Sequence, residues 1–191
     1  MNEFLFIRHA ETDMAGTFCG HSDPPINLRG AQQIRDLIES LKSNPLGMVY
    51  CSDLQRATAT AHAISDAFNI DVVQRSGLRE INFGEWEGLS WQQIEQRDPH
   101  YARRWIEDFP NLSAPGGETF ADFKTRVLAE VNQLPLCPSN KLTAVVTHAG
   151  VMRIVLSALQ GCTQQEAWDR TKFYCATLAH HPTAALQECG L

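Results

Sequence analysis

Three times along this chain a short apolar run that suits a strand ends on a cationic or titratable residue and then gives way to a loop or a helix. Phe4-Leu5-Phe6-Ile7 runs into Arg8 and His9, Leu46 to Cys51 is followed by Ser52 and then Arg56, and Leu142 to Thr147 is followed by His148-Ala149-Gly150. Each run is too short for a helix and rich in strand formers, while the stretches after the second and third carry helical spacing. Strands alternating with helices predict an α/β fold with a mostly parallel sheet flanked by helices, three layers deep. Ligands of such sheets bind just beyond the carboxyl ends of the strands. The three strand ends are therefore expected to converge on one crevice lined by Arg8, His9, Arg56 and His148.

The connecting segments fit that plan. Asp13 to Pro25, with Gly16, Gly20 and Pro24-Pro25, reads as a loop. Asn27 is placed to cap a helix whose apolar positions Leu28, Ala31, Ile34, Leu37, Ile38 and Leu41 share a face, with Asn44-Pro45 as the stop. Ser52-Asp53-Leu54-Gln55 has the spacing of a capping box, which predicts that Ser52 accepts from the amide of Gln55. Arg56 then falls in the first turn of a helix continuing through Ala57, Thr60, Ala61, Ile64 and Phe68. A cation there opposes the helix dipole, so Arg56 calls for a nearby anion. A third helix is expected through Val151, Ile154, Val155, Ala158 and Leu159, ending at Gly161, and a fourth through Phe120, Phe123, Val127 and Val131. Phe173 to Leu178 and Ala184 to Cys189 are expected as terminal strands, joined near His180-His181-Pro182.

Between Trp86 and Pro115 two short helical patterns carry Trp91, Tyr101, Trp105 and Phe109. They form either a lid that offers aromatic faces to a ligand or a helical insertion packed onto the sheet. With no repeat or linker, the 191 residues suit one domain spanning 1–191, with the insertion at about 86–115.

Charge narrows the ligand. Sixteen basic against twenty-two acidic residues give a net charge of −6, which argues against nucleic acid or an acidic membrane as partner. Positive potential must then be local, and the expected guest is a small-molecule phosphate ester. Two histidines and two arginines without a carboxylate cluster do not resemble a metal site, so neither metal nor cofactor is expected. The six cysteines show no C-x-x-C spacing and read as reduced packing thiols. No basic and apolar leader is apparent, and no stretch approaches the roughly 18 apolar residues of a membrane span, so a cytoplasmic location is expected. Nothing in the sequence sets an oligomeric state.

Five ordered motifs then carry a resemblance: Arg8-His9-Ala10-Glu11-Thr12; Ser52-x-Leu54-x-Arg56-Ala57-x-x-Thr60-Ala61; Leu78-x-Glu80 with Gly84, Trp86, Glu87 and Gly88; Gly116-Gly117-Glu118-Thr119; and Thr147-His148-Ala149-Gly150-Val151-x-Arg153. Together they resemble the histidine phosphatase (phosphoglycerate mutase-like) superfamily, and within it the α-ribazole phosphatases. The resemblance implies His9 as a nucleophile forming a phosphohistidine, Arg8, Arg56 and His148 as clamps on the phosphoryl oxygens, and Glu80 as proton donor. Glu11 is the reserve acid, with Glu85 and Glu87 read as structural.

Two departures from the family pattern stand out. Ala10 replaces the usual glycine, and Ala15 stands where many relatives place an asparagine, in a loop about two residues shorter. Ser52, or a backbone N–H near Cys19 and Gly20, is expected to supply the missing bond, which with Ala149 completes the implied substrate-binding set. The implied function is phosphatase action on α-ribazole 5′-phosphate. A sugar-phosphate or fructose 2,6-bisphosphate phosphatase, a phosphoglycerate mutase and a non-catalytic phospho-ligand sensor remain as alternatives.

Overall fold

A computed structural model of the chain describes residues 3–137 and 141–182. Among them five strands make one sheet in the order β3-β2-β4-β1-β5: β1 is Phe4–Arg8, β2 Leu46–Cys51, β3 Val72–Gln74, β4 Leu142–Thr147 and β5 Thr177–His180. The first four are parallel, and β5 runs antiparallel to β1. Register decides what meets at the top. Arg8 pairs with Thr147 and Cys51 with Val146, so β1, β4 and β2 end level and the residues after them are neighbours.

Side-chain alternation along these strands divides the core into two layers. Phe4, Phe6, Tyr50 and Val145 pack with Phe123, Val127 and Val131 of α5 (Phe120–Gln133), with α6 (Ala149–Leu159) and with Ala167 of α7 (Gln164–Thr171). Ile7, Val49, Ala144 and Val146 pack on the other side with Leu37 and Leu41 of α1 (Leu28–Leu41) and Ala57, Ala61 and Ile64 of α2 (Gln55–Phe68). A third cluster lies outside both layers. Trp86, Ile94, Ala102 and Ala114 gather Phe18, Phe83, Trp91, Tyr101 and Trp105 around them, which fixes α3 (Trp91–Arg97) and α4 (Pro99–Glu107) to the loops above the strand ends. Phe109 lies beyond the end of α4.

Helix starts are partly as the sequence predicts. Asn27 Oδ1 accepts from Gly30 N at 2.7 Å and caps α1, but Leu28, expected on its apolar face, is 93% exposed. The capping box at Ser52 does not form. Leu54 is the N-cap residue of α2, and Ser52 Oγ accepts from Leu54 N at 3.3 Å. The α2 start is served instead by Asp23, whose Oδ1 accepts from Gln55 N at 2.6 Å; a carboxylate from the preceding loop meets the helix dipole better than a hydroxyl. Near the carboxyl end, residues 173–176 form a turn and only Thr177–His180 is strand. The strand expected from Ala184 to Cys189 lies outside the described residues.

Candidate active site

His9 follows directly on β1 and is held from both sides of its ring. Nδ1 lies 2.7 Å from the carbonyl of Ala10, so it carries the proton and donates it. Nε2 is left with a lone pair, and Arg56 Nε donates to it at 3.3 Å. Burial, then the charges of Arg56 and Arg8, hold the His9 pKa well below that of a free histidine. The ring is therefore neutral at neutral pH, with a defined nitrogen available as a nucleophile. His148, the N-cap residue of α6, sits with its ring centroid 5.0 Å from that of His9. It is fully buried and likewise kept neutral by burial, Arg56, His9 and Arg8.

Arg56 is fully buried in the first turn of α2. Its Nη1 donates to the carbonyl of Ser22 at 2.7 Å, and its Nη2 to those of Gly20 at 2.7 Å and Cys19 at 3.3 Å. Asp23 Oδ1 lies 4.0 Å from Nη1, so the chain itself meets much of the demand for an anion that the sequence suggests. Arg8 donates through Nη1 to the carbonyls of Thr171 and Lys172 at 3.0 and 2.7 Å, and its guanidinium stacks 4.1 Å over Tyr174. Three buried nitrogens here have no hydrogen-bond partner among the described residues: Arg8 Nε and both ring nitrogens of His148. Finished interiors rarely leave such groups bare, and together they suit an oxyanion.

Glu80 is nearly buried at the start of α6. Its Oε2 accepts from Gly150 N at 2.9 Å and its Oε1 from Ile81 N at 3.1 Å. A side chain at position 150 would place a Cβ 2.1 Å from Glu80 Oε1, so glycine is required for this approach. The rival carboxylates are engaged elsewhere: Glu11 with Asn27, Gln33 and Arg29, Glu85 with Arg97, and Glu87 with backbone N–H groups.

Arg8, His9, Cys19, Glu80, Ala149 and Arg153 line a cavity of about 1030 Å³, and Trp91, Trp105 and Phe109 line it too. Arg56 and His148 lie behind His9 rather than on the cavity wall. Two sequence expectations fail. Ser52 is fully buried off the cavity, and its hydroxyl is turned to Leu54; the Gly20 N–H is taken by Glu87 Oε2 at 3.0 Å. Tyr101 also turns away from the cavity, with its hydroxyl donating to the Ser113 carbonyl at 2.9 Å.

Sequence reasoning missed Tyr174, whose ring lies 5.6 Å from that of His9, because it reads Phe173 to Leu178 as a terminal strand, whereas Tyr174 lies in the turn before β5. It also missed Arg126 of α5. This side chain pairs with Glu118 and donates to the carbonyls of Gly77 and Arg79 at 3.0 Å and of Glu80 at 3.4 Å, holding the loop that carries Glu80. Among the described residues no group of three His, Cys, Asp or Glu side chains is gathered as for a metal ion, and no helix is long and apolar enough to cross a membrane.

Comparison with known proteins gives a consistent picture. The model of the histidine phosphatase superfamily (branch 1) matches residues 4–183. Phosphoserine phosphatase 1 of Hydrogenobacter thermophilus is 30% identical over 170 residues, 88% of this chain and 81% of that protein. The adenosylcobalamin/alpha-ribazole phosphatase of Escherichia coli is 29% identical over 164 residues, 85% and 81% respectively. The alpha-ribazole phosphatase structure from Shigella flexneri superposes with a TM-score of 0.80 at 26% identity, covering 95% of this chain and 91% of that one. The three-layer fold with its mostly parallel sheet is that of the phosphoglycerate mutase-like proteins.

Proposed function

Because the chain belongs to the histidine phosphatase superfamily and acts as a phosphatase, we propose that it hydrolyses phosphomonoesters through a phosphohistidine at His9, and that its substrate is α-ribazole 5′-phosphate. The observation that carries the chemistry is the His9 ring: Nδ1 is tied to Ala10, which leaves Nε2 as the unprotonated nitrogen of a residue on the cavity wall, and the Arg56 N–H that approaches it at 3.3 Å gives way to phosphorus on attack. In the first step Nε2 attacks phosphorus while the ester oxygen leaves and takes a proton from Glu80. In the second, Glu80 takes a proton from water, whose oxygen attacks phosphorus and returns the electron pair to Nε2. Arg8, on the cavity wall, would meet directly the charge that a loose phosphoryl transition state spreads over the non-bridging oxygens, while Arg56, behind His9, would add its positive field and neutral His148 an N–H.

The cavity supports the choice of substrate. Its volume is at the upper end for small-molecule sites, roughly 300–1,000 Å³, which leaves room for a nucleoside beyond the phosphate. Trp91 and Trp105 of the helical insertion, residues 86–115, line it and would stack on a benzimidazole. Both rings also pack into the insertion, with centroids 5.9 Å apart, so the face they offer is rigid. The basic residues of the insertion offer no second anion site: Arg97 pairs with Glu85, and Arg103 and Arg104 lie exposed off the cavity. Arg153 and Lys124 do line the cavity and favour a second reading, a phosphate ester that also bears a carboxylate, such as phosphoserine.

Comparing kcat/KM separates these readings. α-Ribazole 5′-phosphate is expected to exceed O-phosphoserine, 3-phosphoglycerate and fructose 2,6-bisphosphate. Trp91→Ala and Trp105→Ala should each reduce that preference about tenfold, as loss of one stacking face would. A preference for phosphoserine would transfer the assignment to the second reading, and a preference that survives both substitutions would remove the stacking role.

A further inference from the structure

Glu87 lies off the cavity and takes no part in the reaction just described, yet it is one of the most heavily hydrogen-bonded carboxylates in the molecule. Its Oε2 accepts from Gly20 N and Ser22 N, both at 3.0 Å, and its Oε1 from His21 N at 2.8 Å and Phe83 N at 3.0 Å. Burial alone would raise its pKa, but these N–H groups outweigh burial and hold it below the ordinary carboxylate range. The same three-residue turn presents its carbonyls in another direction. Those of Gly20 and Ser22 receive Arg56 Nη2 and Nη1 at 2.7 Å, and Arg56 Nε points at His9 Nε2. Only glycine fits at position 20, where a Cβ would fall 2.0 Å from the Ile81 carbonyl and 2.5 Å from Glu87 Oε1.

We propose that Glu87 is a positioning residue for the nucleophile: by anchoring the N–H groups of the Gly20–Ser22 turn, it fixes the carbonyls that aim Arg56 at His9 Nε2. The proposal rests on the reading of His9 as nucleophile. It separates the carboxylates by task. Glu80 serves the leaving group, whereas Glu87 serves the attacking nitrogen through two intermediaries and should affect every substrate alike.

Glu87→Gln keeps the size of the side chain but turns an amide nitrogen toward two N–H donors, which must then move away. Misplacing a reacting group by about 1 Å costs on the order of 100-fold, so kcat/KM should fall roughly 10- to 100-fold for nitrophenyl phosphate and an alkyl phosphate equally. The acid limb of kcat/KM should also move up toward the ordinary histidine range, because Arg56 no longer sits fixed against His9. The other charged or titratable groups around His9 are Arg8 on β1, His148 at the start of α6, Tyr174 before β5 and Glu80, which lines the same cavity, and none of them is altered.

A merely structural Glu87 would lower the melting temperature and leave the acid limb where it is. That result in the folded variant overturns the proposal, as does a loss confined to the alkyl phosphate. If Glu87→Gln does not fold, Glu87→Asp, which withdraws the carboxylate by one methylene, is judged by the same two readouts. Trapped phosphohistidine in the wild type is measured alongside. Its absence overturns the nucleophile assignment and this proposal together, whereas its presence with an unmoved acid limb overturns this proposal alone.

Discussion

His9 becomes a usable nucleophile through its surroundings. A free imidazole is partly protonated near neutral pH and shares its proton between two nitrogens; here the Ala10 carbonyl fixes the tautomer, while burial and two arginines keep the ring neutral. Glu80 is positioned just as narrowly, by one N–H on each carboxylate oxygen. The division of labour between the two residues is testable through the leaving group. Glu80→Gln should lower kcat/KM, which reports phosphorylation of His9 and not the later attack of water, about 10²- to 10⁴-fold for an alkyl phosphate, the usual worth of a general acid, while nitrophenyl phosphate, whose leaving group needs no proton, loses much less. Equal losses on both esters would point to a different acid. The sequence led to His9 and Glu80 because each falls in an ordered motif, but it gave no sign of Tyr174 or Arg126, which reach the site from a turn and from a helix whose periodicity marks it as core.

Among the elements, α6 does the most to organise the site. Its N-cap is His148, its second residue holds Glu80, and one turn further on Arg153 reaches the cavity, where its guanidinium stacks 4.1 Å over Trp168 and its Nε donates to Thr171 Oγ1 at 3.0 Å. Gly150→Ala isolates the role of this helix start. Alanine suits a helix better than glycine by about 1 kcal/mol, and the atom in its way is the end of the Glu80 side chain, which can swing aside. The variant should keep or gain thermal stability and still lose activity selectively on alkyl phosphates, as Glu80→Gln does. Unchanged alkyl phosphatase activity would show that the Glu80–Gly150 bond has no catalytic use. Elements such as β2 and β4 were legible to the residue, because a buried parallel strand is a near-continuous apolar run bounded by polar signals. The start of α2 was not. Its carboxylate comes from Asp23 in the preceding loop, and no local spacing encodes a partner that only the tertiary fold brings near.

At the scale of the whole molecule, an acidic chain concentrates positive charge at one end of its sheet, and the arrangement carries a stability cost. His9 and His148 have pKa values depressed well below the unfolded value of 6.5, because burial and neighbouring arginines disfavour their charged forms. Above pH 6.5 neither folded nor unfolded chain binds these protons, so stability is complete there. As the pH falls below 6.5 the unfolded chain takes up protons that the native site resists, and each histidine removes up to about 1.4 kcal/mol of stability per pH unit until its folded pKa is reached. Thermal melts in a buffer free of phosphate should therefore drop between pH 7 and 5, and drop less in His148→Asn. An equal drop in both proteins would show that His148 is not held neutral by the fold.

The central claim is that phosphate passes through His9, and rapid quenching tests it most directly. Wild-type protein mixed with labelled substrate and quenched in base within one turnover should carry acid-labile phosphate, stable to alkali, on a peptide containing His9. His9→Ala should carry none, hydrolyse nothing and still melt cooperatively. Rapid substrate turnover with no phosphohistidine on His9, or turnover that persists in His9→Ala, would contradict the account.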